Sequence, residues 1–436
     1  MRVESHSDYL DSLLHGREAI ADAGSTWLRK LRMHAVERAN ELTVPTVRDE
    51  EWRFTDLSPL YKTPFRPAPG AGVLEKSQIG VFAIPEAETR LVFVDGHFAA
   101  DLSQVHSNDG VTVANLADVS GPADAVAETR LARLASINKD AFAAVNTTFL
   151  HDGALINVAR DRIVNAPIHL LFVATRKDSV AYPRVLVVAD AGAQCTVVED
   201  FVGVVDGTYF TNAVSEFYVA ENARVSHVKL QRESPTAFHI ANTSVSVARG
   251  GYYATWAVAL GARISRHSLS IAQAGEGTEF SVDSLALISG RQLADMHSSI
   301  DHAHAHGRSR QLHKTVVGGG AHAVFNGKIL VRKGAQQTDS GQQSRNLLIS
   351  DKAHVDTKPQ LEIFADDVKC AHGATVGQLE ADELFYLKSR GLSDTAARNL
   401  LTYAFAAQVI ERIPVKSLVD QLEKTVLEQT QTREPA

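Results

Sequence analysis

Cysteine is nearly absent from the 436-residue chain: Cys195 and Cys370 stand 175 positions apart. That spacing excludes a zinc knuckle, a CxxC redox pair and a four-thiolate iron-sulfur site made by this chain alone. Any thiol chemistry uses a single cysteine or borrows ligands from a partner. Excess positive charge is also missing, with Lys+Arg 44 against Asp+Glu 51 and no basic run, which argues against binding nucleic acid by neutralising phosphates. Long apolar runs are lacking as well. The stretch Leu400 to Ala407 is interrupted and too short to span a bilayer, and Met1 to Leu14 carries Arg2, Glu4, Asp8 and Asp11 where a secretory signal would be continuously apolar. A soluble chain in a reducing, cytoplasmic compartment is expected, with proteins or small molecules as partners. Nucleotide-loop chemistry fails too: Gly318-Gly319-Gly320 and Gly327-Lys328 are wrongly spaced, and Ile329 stands where Ser or Thr is required. No GxSxG elbow is present.

What is there divides into three regions: 1–150, mostly helical with a proline-rich linker; 151–379, a β core; and 380–436, helical again. Trp27, Leu31, Ala35 and Ala39 recur every fourth residue and predict an amphipathic helix over Ser25 to Asn40. Pro45, Pro59, Pro64, Pro67 and Pro69 predict a surface linker over Thr43 to Gly80. Leu91 to Val94 reads as a strand, and Thr129 to Phe149 as helix through Leu131, Leu134 and Ile137. After His151 the chain turns to short alternating segments with no helical period for more than two hundred residues. Gly192-Ala193, Asn222-Ala223 and Gly250-Gly251 introduce segments at intervals of 30 and 28 residues, with Gly320-Ala321 read as a later member. Without helices between strands a doubly wound sheet is excluded. The scarcity of tight hairpin signals favours a parallel β-helix over a sandwich or propeller.

At the end, Gly391 is a plausible C′ residue for a helix through Leu384 and Leu387, and Ser393 a plausible N-cap for the next. Ala397, Leu401, Phe405, Val409 and Ile413 form a stripe that Leu400 and Ala404 widen; Val415 to Val426 repeats it after Pro414. Two uses stay open. The stripe packs on the solenoid while presenting a partner surface, or it caps the solenoid's end.

Histidines cluster late, at 297, 302, 304, 306, 313, 322, 354 and 372. On a strand, His302, His304 and His306 would share one face about 6.6 Å apart, so two of them could hold one zinc. A hydrogen-bonded histidine ladder is the plainer reading. In Asp366-Asp367-Val368-Lys369-Cys370-Ala371-His372-Gly373, alternation puts Cys370 and His372 on one face, with Lys369 and Asp367 close in sequence. Cys370 beside His372 is half a metal site, since a neighbouring cation favours the thiolate that binds soft metals. A buried, inert thiol is the competing reading. Cys195 has no such neighbours.

The segments Glu50-Glu51-Trp52-Arg53-Phe54-Thr55-Asp56, Gln311-Leu312-His313-Lys314, Val324-Phe325-Asn326-Gly327-Lys328, Asp356-Thr357-Lys358-Pro359-Gln360-Leu361-Glu362 and Lys369 to Gly377 together resemble the SufB/SufD family of iron-sulfur cluster assembly proteins. The resemblance covers essentially the whole chain and is densest from His297 to Pro414. Lack of the cysteine-rich stretch common in SufB places it on the SufD side. It implies a right-handed parallel β-helix flanked by helical segments. It also implies a non-catalytic scaffold role in the Suf machinery, pairing with SufB through the β-helices and with the ATPase SufC through the C-terminal helices, and sulfur supplied by a cysteine desulfurase system. The family's interface histidine falls on His372 and its adjacent cysteine on Cys370, so a transient cluster would be shared with SufB, which provides the principal thiolate. Relatives often have a cysteine where this chain has Gly307, so no metal role is carried to that position. A homodimer of the isolated chain and any flavin involvement stay open. The alternatives are the paralogue SufB itself and a polysaccharide-acting β-helix enzyme; against the enzyme stand an aromatic content of 7% and the missing secretion signal.

Overall fold

The computed structural model describes residues 6–106 and 109–431; the reading of Arg2 and Glu4 lies outside them. The body of the molecule is a parallel β-solenoid of about eight turns, with helices before and after it. Successive strands alternate between two sheets, so each pairs in parallel with the strand two places further along the chain. Phe210–Val219, Phe238–Val247, Ile264–Gln273, Leu293–His302, His322–Val331 and His354–Ile363 stack on one face. Gln194–Gly203, Arg224–Arg232, Tyr252–Ala259, Glu279–Ile288, Arg308–Val317, Thr338–Leu348 and Val368–Gly377 stack on the other.

The spacing of turn residues reflects one corner of this stack. Gly192, Asn222, Gly250, Gly277, His306 and Gln337 all have positive φ, and each lies just before a strand of the second sheet. Their backbone N–H groups donate to the next coil, as Gly192 to Glu221 O, Asn222 to Arg249 O and Gly250 to Glu276 O, each at 2.9 Å. The left-handed conformation turns the chain tightly and suits Gly and Asn. Gly320-Ala321 is not a later member of this series, because it introduces a strand of the first sheet and lies on the opposite corner with Gly290 and Gly319. Like side chains stack inside: Phe93, Phe172 and Phe201 follow one another in register, with centroids 5.1 and 4.8 Å apart.

The first helix of the sequence reading is Thr26–Glu41, which buries Leu28, Ala35 and Ala39. Two N-terminal expectations are corrected. Residues 43–80 are not a surface linker: Leu57, Leu60 and Phe65 are buried, and the Phe65 ring packs on Phe210 and Phe238 at 5.8 and 5.9 Å. The prolines keep the segment extended, while apolar residues between them anchor it. Thr129–Phe149 is not one helix either. A helix ends at Arg130, Ala132 takes φ 56°, and helix resumes only at Ala141. Buried Glu216 accepts the N–H groups of Ala132, Leu134 and Ala135 at 2.7–3.1 Å, capturing donors a helix would use, and is paired with Arg184 at 2.6 Å.

The two ends of the solenoid differ. At its start, His97–Phe98 and Val111–Asn115 pair antiparallel with the first strands and close the sheets. At its finish, His354–Ile363 and Val368–Gly377 are edge strands with no successor among the described residues. The C-terminal helices, Ala381–Ser389, Asp394–Ile410 and Lys416–Gln431, do not cap this end. Val409, Ile410, Ile413, Leu418 and Leu422 pack sideways on Val228, Leu230, Leu285 and Val316 of the second sheet's outer face. Gly391 has φ 93°, and the Ser393 side chain accepts the Ala396 N–H at 3.1 Å, as expected of a C′ residue and an N-cap. No helix among the described residues is long and apolar enough to cross a membrane.

Candidate functional site at the open end of the solenoid

Strand alternation and register position the two residues singled out by sequence. In Val368–Gly377, Cys370 pairs with Ser340 and His372 with Gln342 on the preceding coil, and both of those neighbours are buried. Cys370 and His372 therefore lie on the lumen side of the final coil, at its mouth. Cys370 is half-buried, packed in the cluster of Ile329, Val331, Ala335 and Leu361, and His372 is exposed. Burial pushes the Cys370 thiol up, Asp339 adds to the rise, and a backbone hydrogen bond from Ser340 opposes it. A thiolate stabilised by adjacent Lys369 is thus not what this geometry provides. Lys369 occupies the opposite face of the strand, where its charge bears on Asp339.

Gln342 is a residue that sequence reasoning missed. It is 1% exposed, and its side-chain oxygen and nitrogen both lack a hydrogen-bond partner among the described residues. Gly327 makes room for it, since a Cβ there would lie 2.3 Å from the Gln342 amide nitrogen and 2.5 Å from the Phe325 ring. Behind Gln342 the lumen is polar. Gln311 accepts from Ser298 at 2.8 Å and contacts His313 at 3.1 Å, and His313 contacts Ser284 at 2.7 Å. Deeper in, Glu199 lies 3.4 Å from both His227 and Lys229, and His239 lies 2.7 Å from Glu233. Burial drives the His313 pKa down to about 3. The only trace of this lining in the sequence is polar residues at alternate strand positions, and their juxtaposition depends on a register of roughly 30 residues that no local window contains.

The late histidines do not form one group. His302 ends a strand inside the lumen, its Nε2 3.0 Å from Ser309 Oγ, and burial lowers its pKa to about 4. His304 and His306 lie beyond that strand, and His306 is the left-handed corner residue, so the three share no face and form neither the zinc pair a common strand would allow nor a ladder of the three. His297 lies on the outer face, 3.1 Å from Asp295 and 3.4 Å from Glu51. That contact belongs to a clamp made by the Glu50–Asp56 motif: Thr55 donates to Asp295 at 2.5 Å, Arg266 pairs with Asp295, and the Arg266 guanidinium stacks 3.7 Å over Trp52. Burial alone would raise the Asp295 pKa, but Arg266, His297 and Thr55 outweigh it and hold the carboxylate well below its usual range. Cys195 is fully enclosed, its thiol pushed up to about 12 by burial.

These features define the class as a parallel β-solenoid protein whose last coil has no successor strand among the described residues and carries a Cys and a His at its mouth. Comparison with known proteins gives the family. The model of the SufBD N-terminal region matches residues 3–170, and that of the SufBD core domain of the SUF iron-sulfur cluster assembly system matches residues 172–405. A SufBD family iron-sulfur cluster assembly protein of Synechocystis is 40% identical over 409 residues, covering 91% of this chain and 89% of the relative. SufD of Escherichia coli is 34% identical over 87% of this chain and 88% of its own length. SufD of Bacillus subtilis is 26% identical over 91% and 92%. The chain belongs to the SufBD family of iron-sulfur cluster assembly proteins.

Proposed function

We propose that this chain is the SufD-type scaffold subunit of a Suf assembly complex, and that a transient cluster forms where its open solenoid end meets SufB. The observation that carries this reading is the final coil, followed by no further strand among the described residues, with Cys370 and His372 at its mouth. Exposed edge strands are templates for pairing with another chain. Ile363, Phe364 and Val376 leave apolar surface on the same coil, Phe364 being 63% exposed. One thiol and one imidazole are too few for a cluster, which supports ligands contributed by SufB, including the principal thiolate. Iron binding would displace the Cys370 proton, since only the thiolate ligates.

The chain itself is a non-catalytic component with no ATP site; SufC supplies ATP turnover and a cysteine desulfurase system supplies sulfur. SufC docks on the C-terminal region, where Ala381–Ser389 buries none of its residues and exposes Phe385 and Tyr386. The working division is 1–150 as the N-terminal region, 151–379 as the scaffold core and 380–436 as the ATPase-binding region, in a cytoplasmic protein. Co-expression with the partners tests the site. His372→Ala is expected to abolish or sharply reduce cluster formation while the complex still assembles, and an unchanged cluster yield would show that His372 is not a ligand.

A further inference from the structure

We propose that His322, His354 and Asp356 form a binding site for one first-row divalent transition-metal ion on the outer face of the last two coils. His322 and His354 open adjacent parallel strands of the first sheet and are direct register partners. Asp356 lies two residues beyond His354, hence on the same face of the strand. Alternation carries all three outward, away from the lumen that holds Cys370 and His372. The side chains converge: His322 Nε2 is 2.8 Å and His354 Nε2 is 3.1 Å from Asp356 Oδ2, and the three potential ligand atoms all lie within 4.8 Å of one another. The imidazole centroids are 4.9 Å apart.

Nitrogen–metal and oxygen–metal bonds of about 2.0–2.2 Å require donor atoms roughly 3 to 3.5 Å apart. The two histidine–carboxylate separations already fall in or near that range. Binding replaces two Nε2–H hydrogen bonds to one carboxylate oxygen with three bonds to the ion; each neutral imidazole gives its Nε2 proton to solvent and takes one up at Nδ1, so the proton count is unchanged and the Nε2 lone pair is free for the ion. Two imidazoles and one carboxylate suit zinc, cobalt or ferrous iron, whereas calcium and magnesium prefer an all-oxygen shell. The set carries one negative charge against the ion's two positive. His354 is 65% exposed, and His322 and Asp356 about a quarter, so the ion has an entry path and room for one or more waters. The other histidines near this end lack the arrangement. His302 and His313 are buried against hydroxyl and amide groups, and the partners of His297 are Glu51 and Asp295 of the clamp.

The test is an anaerobic cobalt(II) titration of the full chain followed by visible absorption, run in a Cys370→Ser, His372→Ala background so that the scaffold site cannot contribute. One equivalent is expected to bind with a ligand-field spectrum. His322→Ala, His354→Ala and the near-isosteric Asp356→Asn are each expected to weaken binding at least about tenfold, with unchanged far-UV circular dichroism. Asp356→Asn keeps the test decisive if a histidine variant folds poorly. Failure of the background protein to bind cobalt or zinc at 100-fold molar excess would overturn the site, as would equal affinity in the His322→Ala, His354→Ala double variant. Because Cys370 and His372 are absent from the background, loss of this site and loss of the scaffold role are separately visible.

Discussion

At the scale of single residues, Cys370 and His372 share the lumen face of the final strand, and burial sets the chemistry of the thiol. The sequence places Lys369 next to Cys370, but in an extended chain adjacent side chains diverge, so burial governs the thiol and raises its pKa. Alkylation of Cys370 in the isolated chain by iodoacetamide is therefore expected to keep accelerating above pH 9, and a plateau below that pH would contradict it. Cys370 and His372 were legible because two positions on one strand share a face whatever the fold around them. Gln342 illustrates the opposite case, a lumen residue beside the candidate site that no local window reveals and that is found only through its pairing with His372 thirty positions on. Its dependence on Gly327 is testable: Gly327→Ala forces the amide and the Phe325 ring apart and is expected to lower the unfolding free energy by about 1–3 kcal/mol in urea titrations.

At the scale of elements, the C-terminal helices were readable from sequence because capping chemistry and a four-residue stripe are both local. Ser393→Ala removes the side-chain acceptor for Ala396 N–H and is expected to cost about 1 kcal/mol, measured by thermal or urea unfolding. Elements failed to read where tertiary partners decide them. Glu216, some eighty residues away, takes the donors that helical spacing through Leu131 and Leu134 had promised to a helix. The Pro-rich stretch hid its anchors for the same reason, as Phe65 finds its partners on the solenoid. The helix Ala381–Ser389 makes a sharper case, since Phe385 is 74% and Tyr386 56% exposed. Replacing both by Asp is expected to change stability by less than about 1 kcal/mol. Co-purification with the ATPase is expected to be lost, and retained binding would move the docking surface elsewhere.

At the scale of the whole molecule, the fold class was legible because no helical period interrupts the strands and one corner repeats a left-handed conformation at nearly constant spacing, marked by Gly or Asn at 192, 222 and 250; His306 and Gln337 hide its later members, and nothing local distinguishes a last strand from an interior one. The polar lumen also has a collective consequence. Buried His302 and His313 have pKa values lowered to about 4 and about 3, so below pH 6.5 the unfolded chain takes up protons that the folded chain refuses. Stability is present in full above pH 6.5 and falls as the pH drops toward those folded values, by up to about 1.4 kcal/mol per pH unit for each residue. His302→Gln is expected to shrink the loss between pH 7 and pH 5 in urea unfolding; an identical loss would exclude His302 as a source. The uncapped finish has a consequence of another kind. In a solenoid, each coil is stabilised by its own intrinsic terms plus one interface with each neighbour. A terminal coil that ends in open strand edges is short of one such nearest-neighbour term. A chain docking there, as proposed above, would supply it; thermodynamically that partner would be the next repeat, and the heat stability of the last coil and the affinity of the complex would be two readings of one interface energy.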